Sequence, residues 1–278
     1  MATLSVPDIT INYDLSGSGP RLLVFNGSGG TIEAAALLVG YLANHFEVLI
    51  HDQRGLGATT VPAGPATMAE YAADAASLLD HVGWPTCNVF GISFGGMVAQ
   101  EFAVTHPERV ERMTLLCTSP GGEGGSSYPL HELAMLPPAE RQEISCRNLD
   151  SRFEYQWLAT HPGDQAMVKL MTDRALAERS IEQRRGELLQ LEARSHHDVW
   201  DRLGLIASPT LVACGVFAGT APVANSQAIH SRVAGSVLRI YEGGHMFAYQ
   251  DRRALPDIVA FLQGNELSDP SGDPLPAQ

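Results

Sequence analysis

The chemistry legible in this chain centres on one serine. Ser93 stands in Gly91-Ile92-Ser93-Phe94-Gly95-Gly96, with the apolar run Cys87–Ile92 before it and the helix-patterned run Phe94–Thr105 after it. A serine on a sharp strand-to-helix turn has its hydroxyl lifted clear of the backbone, and small neighbours two residues to either side let strand and helix approach. The turn also puts the Phe94 N–H at a helix start, where it can stabilise an oxyanion. These features suit nucleophilic attack on a carbonyl. A serine hydroxyl needs a nearby base to attack at neutral pH. His245, in Gly243-Gly244-His245 after the strand-like Val237–Tyr241, is the histidine so placed. Among the other nine, His51 precedes a tight turn and reads as structural, and His196-His197 lie where a substrate could be touched. None has a carboxylate or cysteine at ligand spacing, so neither a metal centre nor a cofactor is expected.

The elements that must carry these residues alternate. Strand-like runs at 9–13, Arg21–Phe25, 46–51, Cys87–Ile92 and 110–117 are separated by helical runs at 32–44, 67–81 and Phe94–Thr105, with Thr67 and Glu70 spaced as a capping box. Strand–helix alternation implies parallel strands joined by crossover helices, an α/β fold with a mostly parallel, doubly wound sheet. The rhythm stops at the glycine-rich 119–125 and resumes with strands at 210–214 and Val237–Tyr241 and helices near 225–233 and 254–263. From Tyr128 to about Trp200 the chain is helix-like, and 166–191 reads as one helix broken or kinked near Gly186. The expected organisation is a core of 1–120 and 201–265, a helical cap of 121–200 inserted after the sixth strand, and a Pro/Gly/Ser-rich disordered tail at 266–278.

Composition narrows the function. The chain has 278 residues, 45% of them hydrophobic, and a formal net charge of −13 with no basic stripe. Nucleic acid and anionic membrane are therefore poor partners, and neutral or cationic ligands are favoured over polyanions. Cys87, Cys117, Cys146 and Cys214 form no C-x-x-C pair and read as buried thiols, in keeping with a reducing, cytoplasmic setting. No signal peptide is apparent, and no apolar run approaches the ~18 residues of a membrane span. A small molecule is the expected partner; oligomeric state is not legible.

Several stretches together resemble the α/β-hydrolase superfamily over roughly 9–263. They are Asn26-Gly27-Ser28-Gly29 at the oxyanion loop, Asp52-Gln53-Arg54-Gly55-Leu56-Gly57, the elbow with Met97-Val98-Ala99 behind it, His106-Pro107-Glu108-Arg109-Val110, and Gly243-Gly244-His245. Within it, the chain is most similar to small capped esterases, enol-lactonases and C–C bond hydrolases. The resemblance implies Ser93 as nucleophile, His245 as general base and acid, and the Ser28 and Phe94 N–H groups as the oxyanion hole. Asn26 departs from the loop histidine usual there. The resemblance further implies a triad acid in Gly215-Val216-Phe217-Ala218-Gly219-Thr220-Ala221-Pro222, and at that place the chain has Ala218. Three readings stay open: the acid has moved to Glu123, Ala218 is a deliberate replacement of Asp, or the protein works without a full triad. Glu242 ranks below Glu123. Asn26, Gly27, Phe217, Met246 and Trp157 are the candidate pocket residues. The expected activity is hydrolysis of a small, fairly apolar ester, lactone or thioester, attenuated by Ala218; the alternatives are C–C hydrolysis and a non-hydrolytic ligand-binding member.

Overall fold

The computed structural model describes residues 1–133 and 135–267. Its framework is an eight-stranded sheet built from β1 (Ala2–Ser5), β2 (Thr10–Gly17), β3 (Arg21–Phe25), β4 (Glu47–His51), β5 (Cys87–Ile92), β6 (Val110–Leu116), β7 (Thr210–Gly215) and β8 (Val237–Tyr241). The spatial order is β1-β2-β4-β3-β5-β6-β7-β8; the β1–β2 and β2–β4 pairings are antiparallel and the remaining five are parallel. The expected parallel sheet is present, and β1 is an additional edge strand, paired from Ala2↔Tyr13 to Ser5↔Thr10. Its four-residue polar alternation is too short to stand out from the sequence alone.

The helices are α1 (Ala36–Leu42), α2 (Met68–His81), α3 (Phe94–Thr105), α4 (Leu130–Leu133), α5 (Pro138–Leu149), α6 (Tyr155–Thr160), α7 (Pro162–Leu176), α8 (Ile181–Ser195), α9 (Val223–Arg232), α10 (Phe247–Gln250) and α11 (Ala254–Leu262). The sheet is buried on both faces, as its continuous apolar strands require. On one side α2, α3 and α9 pack through Tyr71, Leu78, Met97, Phe102 and Ile229. On the other, α1 and α11 pack through Leu38, Leu42, Ile258 and Phe261. The capping box opens α2: the Thr67 side chain accepts from the Glu70 N–H while the Glu70 carboxylate accepts from the Thr67 N–H.

Five helices, α4 to α8, leave the sheet between β6 and β7. The reading of 166–191 as one helix broken near Gly186 is corrected. The break falls between Leu176 and Ile181, where Ser180 caps α8 with Gln183. Gly186 sits inside α8 because a Cβ there would lie 1.8 Å from the Gly55 carbonyl oxygen, so the glycine lets a core turn touch the helix. The expected tail lies, from residue 268, outside the described residues.

Strand order reverses direction between β3 and β5, so the loops after these two strands border the crevice where open α/β sheets bind ligands. The first carries residues 26–30 and the second carries Ser93.

Candidate active site

Ser93 has φ 56° and ψ −119°, left-handed backbone that a non-glycine residue adopts only when its surroundings enforce it. They do. Its N–H donates to Leu116 O at 2.8 Å, and its carbonyl accepts from Thr118 Oγ1 at 2.8 Å and from the Gly96 N–H at 2.9 Å. The flanking glycines leave no alternative: a Cβ on Gly95 would fall 2.1 Å from Phe25 O, and one on Gly96 2.6 Å from Thr118 Cβ. The spacing of small residues read from the sequence is therefore a requirement of strand, helix and neighbouring loop together.

The loop after β3 covers the elbow. The Cβ direction of Gly27 points to within 3.5 Å of Ser93 Cβ. The backbone N–H groups of Ser28 and Phe94 donate to nothing among the described residues, leaving two donors beside the serine. The Asn26 side chain turns away from the crevice, its Nδ2 donating to Thr31 O, and its carbonyl accepts from Gln53 Nε2. Phe94 contributes backbone alone, because its fully buried ring packs edge-on against Tyr71 at 5.1 Å.

His245 reaches the same sheet edge from β8. Its loop threads closely between its neighbours: Phe217 N–H donates to Gly243 O at 2.9 Å and His245 N–H to Leu149 O at 2.5 Å. Gly244 O lies 3.9 Å from the sulfur of Cys117, next to the strand that anchors Ser93. The imidazole is 8% exposed, and its Nδ1 is buried with no hydrogen-bond partner. Burial, and secondarily the Arg194 charge, lower its pKa to about 4. No carboxylate offsets either effect.

Ala218 is buried and offers only a methyl group. Glu123 is exposed, and no hydrogen bond joins it to His245; its turn packs instead toward Asp198 and Trp200, as the Cβ directions of Gly122 and Gly124 show. Glu242 pairs outward with Arg152. Asp150, fully buried beside Gly244, was not singled out by the sequence reading, yet its oxygens are spent on Arg152 at 2.7 and 2.9 Å and on Gln250 Nε2 at 3.0 Å. The Phe217 and Trp157 rings both pack on the Arg152 guanidinium, at 4.0 and 4.5 Å. Met246 follows the imidazole and is half-buried at the start of α10.

Two residues of α8 escaped the sequence reading. Gln190, 1% exposed, accepts the Gly29 N–H at 2.7 Å and so ties the insertion to the oxyanion loop. Arg194, one turn later, is 5% exposed and donates to Tyr128 O and Ser127 Oγ. Hydrophobicity does not mark the inner face of α8: the helix buries Gly186, Gln190, Ala193 and Arg194 while exposing Ile181 and Leu188. No group of three metal-ligating side chains gathers among the described residues.

Comparison with known proteins agrees with this architecture. A family model described as alpha/beta hydrolase fold matches residues 20–251. The chain is 28% identical over 260 residues to 3-oxoadipate enol-lactonase 2 of Acinetobacter baylyi, covering 92% of this chain and 94% of that protein. It is 29% identical over 243 residues to a poly(3-hydroxyalkanoate) depolymerase of Ectopseudomonas oleovorans, covering 87% and 84% respectively. The crystal structure of a hydrolase from Pseudomonas aeruginosa PA01 superposes with a TM-score of 0.77 at 26% identity, over 95% of this chain and 98% of that one.

Proposed function

The chain belongs to the alpha/beta hydrolase family and is a hydrolase of that fold, and from this premise we propose that it cleaves a small ester or lactone through an acyl-enzyme on Ser93. The observation that carries the reading is the enforced backbone of Ser93, with the adjoining Phe94 N–H and the Ser28 N–H of the covering loop both unclaimed among the described residues. Two relatives bear the names of an enol-lactonase and a polyester depolymerase, both acting on oxygen-linked acyl groups, and this favours ester or lactone bonds.

In this mechanism Ser93 Oγ attacks the carbonyl carbon as His245 takes its proton. The developing oxyanion is held by the Ser28 and Phe94 N–H groups, which preorganised in a dry site stabilise it far more than water would. His245 returns the proton to the departing alkoxide. A water activated by the same imidazole then releases the acid. His245 is neutral at pH 7, its pKa being about 4, so it holds the form that accepts a proton. The imidazolium that must form is unsupported, however, because Nδ1 has no acceptor. Where a triad acid orients and stabilises that ion, losing it costs about 10⁴-fold in turnover. The activity assigned here is accordingly slow.

The test is covalent trapping. Incubation with a fluorophosphonate, followed by peptide mass mapping, is expected to place one adduct on Ser93, and Ser93→Ala is expected to remove both adduct and esterase activity. An unmodified Ser93 in folded protein would overturn the proposal.

A further inference from the structure

Arg194 is a buried cation with no anion. In a chain of net charge −13, its guanidinium forms no ion pair with any described carboxylate, and burial pulls its pKa down to about 10. Desolvating a charge without a partner costs several kcal/mol, so such a group persists where something else supplies the partner. Two of its five N–H groups go to Tyr128 O at 2.8 Å and Ser127 Oγ at 2.6 Å, both uncharged, and Nε is buried with no partner.

The surroundings form a receptor. Arg194 borders a cavity of about 220 Å³ with Met97, Ser126, Ser127, His131 and His197. That is room for about seven water volumes, or for a short chain ending in an anion. Met97, which lines the cavity, follows the elbow directly, and its N–H meets the Ser93 carbonyl at 3.2 Å. One helical turn before Arg194, Gln190 holds the Gly29 N–H of the oxyanion loop and leaves its buried Nε2 without a partner. Residues four apart on a helix stand about 6 Å apart on one face. The same face of α8 thus carries an amide donor at the loop after β3 and, one turn on, a guanidinium with no carboxylate partner among the described residues.

We propose that Arg194 and its cavity form a subsite for a carboxylate carried by the substrate, so that the ester or lactone cleaved has a free carboxylate a few carbons from its scissile carbonyl. This rests on the assignment of Ser93 as nucleophile and narrows its substrate class. It also reverses the expectation drawn from net charge, because the local unpaired cation outweighs a distant, screened surface. Binding has a second consequence. Arg194 is the charge that depresses the proton affinity of His245. A carboxylate on the guanidinium removes that repulsion in the Michaelis complex, and the substrate supplies part of what Ala218 does not.

The experiment compares 4-nitrophenyl hemi-esters of succinic and glutaric acid with the uncharged 4-nitrophenyl butyrate. The natural sequence is expected to favour the hemi-esters by 10- to 100-fold in kcat/KM. Arg194→Gln is expected to abolish the preference, read as the ratio of kcat/KM on hemi-ester to that on butyrate, and Arg194→Lys to restore part of it. Equal rates on charged and neutral esters, or a preference that survives Arg194→Gln, would overturn the proposal. Added succinate is expected to inhibit; if it accelerates butyrate hydrolysis instead, the site takes a free anion and the substrate assignment falls. Thermal shifts of Ser93→Ala protein with glutarate monoamide separate the two readings. An Arg194-dependent shift in a protein whose Ser93 is never labelled keeps the anion site and removes the hydrolase mechanism, and no shift up to millimolar ligand removes the anion site alone.

Discussion

The two halves of the candidate site are built to different standards. On the Ser93 side, backbone hydrogen bonds from β6, glycines with no room for a methyl group and a close-packed loop fix a strained serine in one place. On the His245 side, the loop is equally well anchored through Gly243, Gly244 and Leu149, yet the imidazole it presents has an orphaned Nδ1 and no carboxylate. Positioning and activation are thus separable. The first is held by backbone; on the function proposed above, the second depends on one carboxylate, and where the family resemblance places it stands Ala218.

The sharpest way to break the first half is to add one carbon. Gly95→Ala puts a methyl carbon 2.1 Å from the Phe25 carbonyl oxygen, which neither strand nor helix can relieve by a rotamer change. A loss of about 4 kcal/mol or more in chemical denaturation, or failure to fold, is expected. A fully stable variant would mean the elbow is looser than described.

The second half is sharpened by pH. A folded His245 pKa of about 4, below its ordinary 6.5, keeps the imidazole neutral down to mildly acidic solution. The acid limb of kcat/KM is therefore expected near pH 4, with circular dichroism at each pH as the control for folding. In Ala218→Asp, a carboxylate facing the ring favours the protonated form, and the limb is expected to move upward by a unit or more. A limb near 6.5 in the unaltered chain would show that the ring is better solvated or better partnered than the structure has it. The smallest effect concerns the displaced carboxylate. Glu123 is exposed and its turn faces Asp198 and Trp200, so Glu123→Gln is expected to change kcat less than twofold, whereas a hundredfold loss would restore it as the acid.

This division also accounts for what the sequence made legible. Strand–helix alternation and the spacing of Gly91, Ser93, Gly95 and Gly96 are local patterns, and the parallel sheet and the elbow context follow from them. The absence of an acid at 218 was equally plain, because it is a single position in a recognisable loop. Gln190 and Arg194 were hidden for a physical reason. Their helix buries the polar Gln190 and Arg194 and leaves Ile181 and Leu188 exposed, and a pattern read by hydrophobicity assigns the two polar residues to solvent. The partner that holds the Trp157 and Phe217 rings, Arg152, was not legible either, because it is distant in sequence from Phe217. Asp150 is similar, a buried carboxylate beside the catalytic loop whose arginine partner, two residues away, commits it elsewhere.

The central claim is that Ser93 is correctly placed and insufficiently activated. The direct measurement is the ratio of kcat for Ala218→Asp to that of the unaltered chain on one chromogenic ester, with Ser93→Ala/Ala218→Asp as the blank. The account predicts a rise of about 10²- to 10⁴-fold that vanishes in the blank. A correctly folded Ala218→Asp protein with an unchanged rate, while Ser93 remains reactive, would contradict it.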